Sequence, residues 1–344
     1  MFDHVADALK APALIRLESN IFVARFEAVK IYSALGAVER LLDIGAVKRG
    51  DTLVDSSSGI YAHALALACH RYGLKCHIVG SMAIDQALHL QLKILGATVE
   101  QIEASGCLKF DQGARIQRVQ EIIRANPRYY WMRQYHDPIH YLGYEAFADL
   151  VDREIGTTRL TVVGGVGTGA ATGGAATYLR KADPTVQLCG IQPFGSVTFG
   201  GGEVEDAAAV MAGIGASLPF DNIHHELYDT VHWVSFDYGL SGCVELLRRH
   251  AVFAGLSTGA SFLATCWEAR AQPDRRYLLI AADTGHRYAA SVFAQHAQAL
   301  PLEELAPTRI DEVDDLALPW SVMDWGRRQD PAKEGQALDD YSRA

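Results

Sequence analysis

At 344 residues, 49% hydrophobic and 21% charged, the chain reads as a soluble globular protein with room for roughly two domains of about 150 residues. Its formal charge of −10 disfavours a nucleic-acid groove or an anionic membrane surface, either of which would be repelled at long range, and the length excludes a tiny binding module. Small molecules are the better-matched ligands.

The N-terminal stretch from Met1 to Asn20 carries early acids and no basic start ahead of an apolar run, so no secretory signal is expected. Apolar runs further on are broken by glycine and fall short of a membrane helix. Ile31, Ala34, Leu35, Val38, Leu41 and Leu42 recur at helical spacing, which predicts a helix from Lys30 to Ile44, stopped at Gly45. Thr52–Asp55 reads as a buried strand, Ser56–Ile60 as a loop, and Tyr61–Tyr72 as an alanine-rich helix. The same β-loop-α pattern continues with a strand at Cys76–Val79, a helix at Ala83–Leu95 and a strand at Thr98–Ile102. Later come a strand at Leu160–Val163, a glycine loop, a helix at Ala171–Arg180, and strands at Val186–Ile191 and Tyr277–Ala281, the latter ahead of a further helix. Strands alternating with helices imply an α/β fold with mainly parallel, doubly wound sheets and ligands at the carboxyl ends of strands. From Pro301 to Ala344 the chain turns acidic and loses its period, which predicts an irregular tail or packing arm; it carries −6 of the total charge. Cys69, Cys76, Cys107, Cys189, Cys243 and Cys266 show no metal-ligand spacing, so reduced core cysteines, a cytoplasmic location and no metal are expected.

The loop Gly164-Gly-Val-Gly-Thr-Gly169, followed by Ala170 and Ala171, is the strongest chemical signal. Its glycines let backbone N–H groups converge on an anion, and the next helix N-terminus adds partial positive charge, so a phosphate seat is the natural reading. Close strand-helix packing alone would also explain the glycines. A dinucleotide seat competes less well because the strict GxGxxG spacing is absent, and the GK[ST] ending of a P-loop is missing. Ser56-Ser57-Ser58-Gly59 stands between strand and helix, where serines either hold a carboxylate or cap the helix. A lysine at a helix start, as Lys30 is, gains nothing from the dipole and becomes nucleophilic only where burial lowers its pKa.

Taken in order, these elements resemble the cysteine synthase and cystathionine β-synthase family of fold-type II pyridoxal-phosphate enzymes, over roughly residues 12 to 296. The likeness rests on Leu17-Glu18, Lys30 ahead of Gly50-Asp51-Thr52, Ser57-Ser58-Gly59, Leu95-Gly96-Ala97-Thr98-Val99, Gln134, Gly167-Thr168-Gly169, Gly255-Leu-Ser-Thr-Gly259 and Asp283-Thr284-Gly285-His-Arg-Tyr288. The resemblance implies a two-domain fold with the active site between the domains. Residues 1–45 and 146–300 would form the larger, cofactor-binding domain, 46–145 an inserted mobile domain that closes on substrate, and 301–344 the acidic tail. It implies pyridoxal 5'-phosphate held covalently by Lys30, with its phosphate on Gly165, Gly167, Thr168, Gly169, Ala170 and Ala171. Gly255 would line the cofactor face and Thr284 would hydrogen-bond the pyridine nitrogen. Ser57, Ser58, Gly59, Ile60, Tyr61 and Gln134 would form the substrate side, and the chain would act as a homodimer.

Ile60 replaces the family's asparagine, Tyr61 the threonine after it, and Ala170 a usual glycine. The approach from Asn20 to Val29 is longer than usual, and it brings Arg25 near the same departures. The activity implied is β-replacement on O-acetylserine, phosphoserine or serine through an aminoacrylate, adding a sulfide, thiol or amine nucleophile in specialised amino-acid biosynthesis. A β-eliminase, deaminase or racemase on the same fold is one alternative, and a non-catalytic binding or scaffold member is another. His136-Asp137 and His224-His225-Glu226 are read as surface turns, and His286-Arg287-Tyr288 as pocket wall.

Overall fold

The computed structural model describes residues 1–82, 84–103, 108–204, 206 and 213–329. A short helix α1 (Val5–Ala8) precedes a hairpin of β1 (Ala13–Arg16) and β2 (Ile21–Arg25), and helix α2 (Lys30–Asp43) follows. Next come β3 (Thr52–Ser56), α3 (Ile60–Tyr72), β4 (Lys75–Ser81), α4 (Gln86–Ile94), β5 (Thr98–Ile102), α5 (Leu108–Ala125) and β6 (Tyr129–Trp131). The chain continues with α6 (Tyr144–Glu154), β7 (Leu160–Gly165), α7 (Ala170–Ala182), β8 (Gln187–Gln192), β9 (Thr230–Val234), α8 (Phe236–His250), α9 (Leu256–Ala271), β10 (Arg276–Ala281), β11 (Thr308–Arg309) and β12 (Trp320–Asp324).

Among the described residues, β3 to β6 make a four-stranded parallel sheet in the order β5-β4-β3-β6, nested in sequence between segments of the larger unit. The larger sheet has eight strands in the order β1-β2-β10-β7-β8-β9-β12-β11. Its centre, β2 to β9 in that order, is parallel, while β1 runs antiparallel to β2 and β12 antiparallel to β9, with β11 parallel to β12 at the edge. The fold is therefore α/β with mainly parallel sheets.

Strand alternation builds the core on both faces of the larger sheet. On β10, Leu278 and Ile280 join one cluster with Ile31, Leu35 and Val38 of α2, whereas Tyr277, Leu279 and Ala281 join another with Phe262 and Leu263 of α9. Both sets are essentially buried, so each strand reads as an unbroken apolar run. Helix α2 ends one residue before the predicted Ile44, at Asp43, and Gly45 then takes the left-handed φ of 72° that terminates it.

The described part of the segment after Pro301 packs on the larger sheet and is not irregular throughout. Trp320–Asp324 pairs antiparallel with β9, and Trp320, Val322 and Met323 bury their side chains, so hydrophobic burial rather than charge decides its place. Residues 330–344 lie outside the described residues, as does Cys107. Cys69, Cys76, Cys189 and Cys243 are buried and free, and Cys266 is free and half-buried. No helix among the described residues is long and apolar enough to cross a membrane.

Helices α8 and α9 cross so closely that a Cβ on Gly242 would lie 2.0 Å from the carbonyl oxygen of Gly259. Gly242→Ala should therefore destabilise the fold by about 1–3 kcal/mol. Gly113 on α5 has nothing within 4 Å of the same position, and Gly113→Ala should stabilise by up to about 1 kcal/mol. Thermal melts of the two variants check the pair: equal shifts in one direction would contradict this packing.

Candidate active site

The carboxyl end of β7 runs into the glycine loop and then α7, whose N-cap Gly169 has a φ of 80° and no side-chain cap. The loop has no room for side chains. A Cβ on Gly167 would lie 2.5 Å from the Gly213 carbonyl oxygen, and one on Gly169 would lie 2.4 Å from that of Asn222. A Cβ on Gly165 would meet Ile214 at 2.4 Å. The close-packing reading of these glycines is thus correct as far as it goes, yet the N-cap Gly169 brings no side-chain acceptor to the first turn of α7, where Ala170 N makes a long contact of 3.4 Å to Thr168 Oγ1, and a helix start of this kind suits an anion.

Lys30 is the first residue of α2, and its Nζ donates to Thr168 Oγ1 at 2.5 Å, so α2 and the glycine loop meet in one cleft. Burial pushes the amine down to about 8. The cleft holds about 410 Å³ of space, part of it open to solvent, and is walled by Lys30, Thr168, Ala171, Ile60, Ser257 and Ile214. Lys30 is its only ionisable wall residue among the described ones. A dianionic phosphate with an aldehyde to be held by an amine fits these donors: uncapped helix amides, a hydroxyl and a lysine whose proton is easily lost.

On the other side, Asp283 is buried and burial raises its carboxyl to about 6, opposed by the Arg287 charge and by a hydrogen bond from the Tyr288 hydroxyl at 3.3 Å. Its Oδ1 has no hydrogen-bond partner among the described residues, and a Cβ on Gly255 would lie 2.1 Å from that atom. Gly255 is thus required by Asp283 behind it. Thr284 forms a backbone bridge with Ala254, and its hydroxyl lies 3.1 Å from His286 Nδ1. Arg287 reaches across to Asp85 at 3.1 Å, at the start of α4, and so joins the two sheets' surroundings near the cleft mouth.

The serine turn is held from below by a carboxylate that sequence reasoning missed. Asp55 accepts from Ser56 N at 2.8 Å, Gln134 N at 3.0 Å and Trp131 Nε1 at 3.1 Å. Burial nevertheless raises this carboxyl to about 7 against those donors. Its only sequence mark was an acid closing an apolar strand. Ser57 Oγ accepts from Ala62 N at 3.1 Å and Gly59 N at 3.4 Å, so it does cap α3, while its own proton stays free to donate. Gln134 donates from Nε2 to the Ser56 carbonyl at 2.7 Å and so holds the turn itself. Ile60 lines the cleft, but Tyr61 does not: its ring lies edge-on to His140 in the core. Ser257 and Asn222 were also missed. Asn222 Nδ2 donates to the carbonyls of Gln134 at 3.0 Å and Asp137 at 2.8 Å, tying the β6 end to the glycine loop.

His136 pairs with exposed Asp221 at 2.9 Å, and His224 with exposed Glu226 at 3.3 Å, while His225 packs on Phe199 and Trp325. Among the described residues no group of three or more His, Cys, Asp or Glu could hold a metal.

Comparison with known proteins gives a match of residues 3–283 to the family described as "Pyridoxal-phosphate dependent enzyme". The N-(2-amino-2-carboxyethyl)-L-glutamate synthase of Cupriavidus metallidurans is 32% identical over 77% of this chain and 78% of its own. The protein of the same name from Ralstonia nicotianae is 29% identical over 83% of this chain and 84% of its own. Among solved structures, the O-acetylserine dependent cystathionine beta-synthase from Helicobacter pylori superposes with a TM-score of 0.77 at 22% identity, covering 85% of this chain and 99% of that one.

Lys30 couples pH to stability in cofactor-free protein. Unfolded, the amine keeps its proton to about 10.5; folded, it releases it near 8, so the unfolded state binds more protons between those values. Stability relative to Lys30→Met should then rise across that window, by at most about 3 kcal/mol, and be flat below pH 7. Denaturant melts from pH 6 to 11 check this, and a flat difference throughout would contradict the buried amine.

Proposed function

The chain belongs to the pyridoxal-phosphate dependent enzymes, with pyridoxal phosphate as its cofactor and β-replacement on a serine derivative as its reaction, and from that premise we propose which of its residues do the work. Lys30 holds the cofactor and moves the proton of the substrate's α-carbon. The observation that carries this is the Lys30 amine, lowered to about 8 and seated 2.5 Å from Thr168 Oγ1 in front of an uncapped helix. When bound, pyridoxal phosphate supplies an electron sink beside the substrate α-carbon. An amine of pKa about 8 is neutral in roughly a tenth of molecules at pH 7, enough to take up a proton once it is freed.

The amides from Gly167 to Ala171, with the Thr168 hydroxyl, bind the phosphate, and Gly165 leaves room for the ring. Thr284 would offer the pyridine nitrogen a neutral hydroxyl rather than a charged partner, and a ring nitrogen without a proton would suit loss of a β-substituent over transamination. The Ser57 proton and the Ile60 amide at the α3 N-terminus hold the substrate carboxylate; the N-cap residue there, Gly59, brings no side-chain oxygen of its own to compete. Gln134 and Asp55 act through this turn by fixing its backbone. Ile60 offers the cofactor an apolar contact where the resemblance expects a hydrogen-bonding asparagine.

The relatives' name describes a glutamate bearing a 2-amino-2-carboxyethyl group on nitrogen, and that unit is what a serine derivative supplies at its β-carbon. By that likeness an amino-acid amine is the nucleophile we favour over sulfide. The unit around the smaller sheet, residues 46–145, closes on the substrate and excludes water; the Arg287–Asp85 pair, which bridges the two units, supports this reading. The chain acts as a homodimer in the cytoplasm, where buried free cysteines are stable.

Lys30→Ala should lose the visible absorption of bound cofactor and at least about 10³-fold in turnover. Retention of both would overturn the assignment of Lys30. Incubation with O-acetylserine, phosphoserine and serine, each with and without an amine or thiol, should yield a new C–N or C–S product; pyruvate and ammonia alone would mean elimination instead.

A further inference from the structure

A second cavity opens at the opposite end of the larger sheet from the cleft. It lies at the amino ends of β7, β8 and β9, whereas the glycine loop leaves from the carboxyl end of β7. It holds about 690 Å³ of space, part of it open to solvent, and its wall includes Thr161, Gln187, Asp229, Glu268, Arg309 and Asp324. Helix α9 reaches both places. Ser257 stands in the cleft and Glu268 in this cavity, about 16 Å further along the helix axis, so one small ligand cannot occupy both.

Glu268 is the group that the fold leaves incomplete. It is only 8% exposed, and its Oε1 accepts from His232 Nε2 at 3.1 Å. Trp320 Nε1, which can only donate, gives to His232 Nδ1 at 3.1 Å. The imidazole proton therefore sits on Nε2, and the ring facing Glu268 carries no charge. Oε2 has no hydrogen-bond partner among the described residues, which leaves it for whatever enters the cavity. No lysine or arginine among them forms an ion pair with Glu268. Arg275 stands near enough for the two charges to act on each other, but its guanidinium is engaged by Thr161 Oγ1 at 2.9 Å and the Leu160 carbonyl at 3.1 Å. A buried carboxylate without a cation is costly, and an arriving ammonium removes that cost.

The rest of the wall narrows the ligand. Asp229 is already saturated: its Oδ1 accepts from Arg327 Nε at 2.8 Å, and its Oδ2 from Arg180 Nη2 at 2.8 Å and Leu188 N at 2.7 Å. Arg309 and Asp324 are exposed at the rim, and among the described residues neither has an ion-pair partner. The Arg309 guanidinium lies 6.0 Å from the ring of Trp267, the residue before Glu268. One open carboxylate inside, one guanidinium at the rim and no group that could hold a metal match a small molecule that carries an ammonium and a carboxylate together. We propose that this cavity is a second ligand site that takes a free α-amino acid, with its ammonium on Glu268 Oε2 and its carboxylate on Arg309. A neutral and a basic side chain both satisfy this chemistry, the basic one with Asp324 as an added partner.

The test is calorimetric titration of the cofactor-loaded enzyme with L-serine and with L-lysine, run beside the visible absorption of the cofactor, which reports the cleft alone. Wild type should bind at a site that leaves the absorption unchanged. Glu268→Gln and Arg309→Gln should each weaken that binding at least about tenfold, while the absorption response to L-serine shifts less than about threefold. Gln keeps an oxygen for His232 to donate to, and Arg309→Gln, at an exposed residue, carries the test should Glu268→Gln fail to fold. Acetate and ethylamine, the two halves of the zwitterion, should each bind at least about tenfold more weakly than the amino acids. Tighter binding of L-lysine that is lost in Asp324→Asn assigns a basic side chain, and equal binding of the two amino acids assigns recognition of the shared ammonium and carboxylate alone. Binding that always tracks the absorption change, binding unchanged in either variant, or none at all overturns the proposal.

Discussion

Gly165, Gly167 and Gly169 let the backbone after β7 lie directly against the 213–223 segment, where any Cβ would come within about 2.5 Å of a carbonyl oxygen or a methyl group. Because the chain passes so closely, the N-cap of α7 is a glycine with no side-chain acceptor, and Thr168 Oγ1 meets only the first amide, at 3.4 Å. Lys30 opens α2 at the same place. Two helix N-termini and a lysine thus converge, an arrangement that disfavours a proton on the amine and favours an anion beside it. Burial lowers the Lys30 amine to about 8, and the dipoles act in the same direction. A chain of net charge −10 in this way builds an electropositive cleft without a basic patch.

The smaller sheet contributes by holding a turn. Asp55 at the end of β3 gathers the Ser56 and Gln134 amides and the Trp131 indole, so the carboxyl ends of β3 and β6 are tied as one unit beneath Ser57–Gly59. Asn222 and the Gln112–Ser217 contact carry the tie onward to the glycine loop of the larger sheet. The serine turn and the glycine loop are therefore mechanically joined, although they belong to different sheets.

What was legible in the sequence was what local chemistry determines. Alternating strands and helices were found within a few residues, and the glycine loop announced itself because only a chain forced into close approach spends three glycines in five residues. The Ser57 reading stayed open between cap and ligand for a good reason: one hydroxyl can accept two amides and still donate its proton. What escaped was set by partners distant in sequence. The strand Trp320–Asp324 lay hidden in acidic surroundings because its pairing with β9 depends on a few buried apolar side chains. Asp55, Asn222 and Ser257 carry no local pattern, and their importance exists only once the chain brings them together. Tyr61 shows the converse, since a departure next to a motif turned out to pack in the core rather than face the cleft.

The account stands on one amine. Among the lysines whose side chains are described, Lys30 is the one that donates to the glycine loop, at Thr168 Oγ1. Borohydride reduction of the cofactor-loaded enzyme, followed by digestion and mass spectrometry, fixes the cofactor to whichever amine holds it. The account predicts the reduced cofactor on the peptide containing Lys30 and on no other; its recovery on another lysine, or on none, would contradict it.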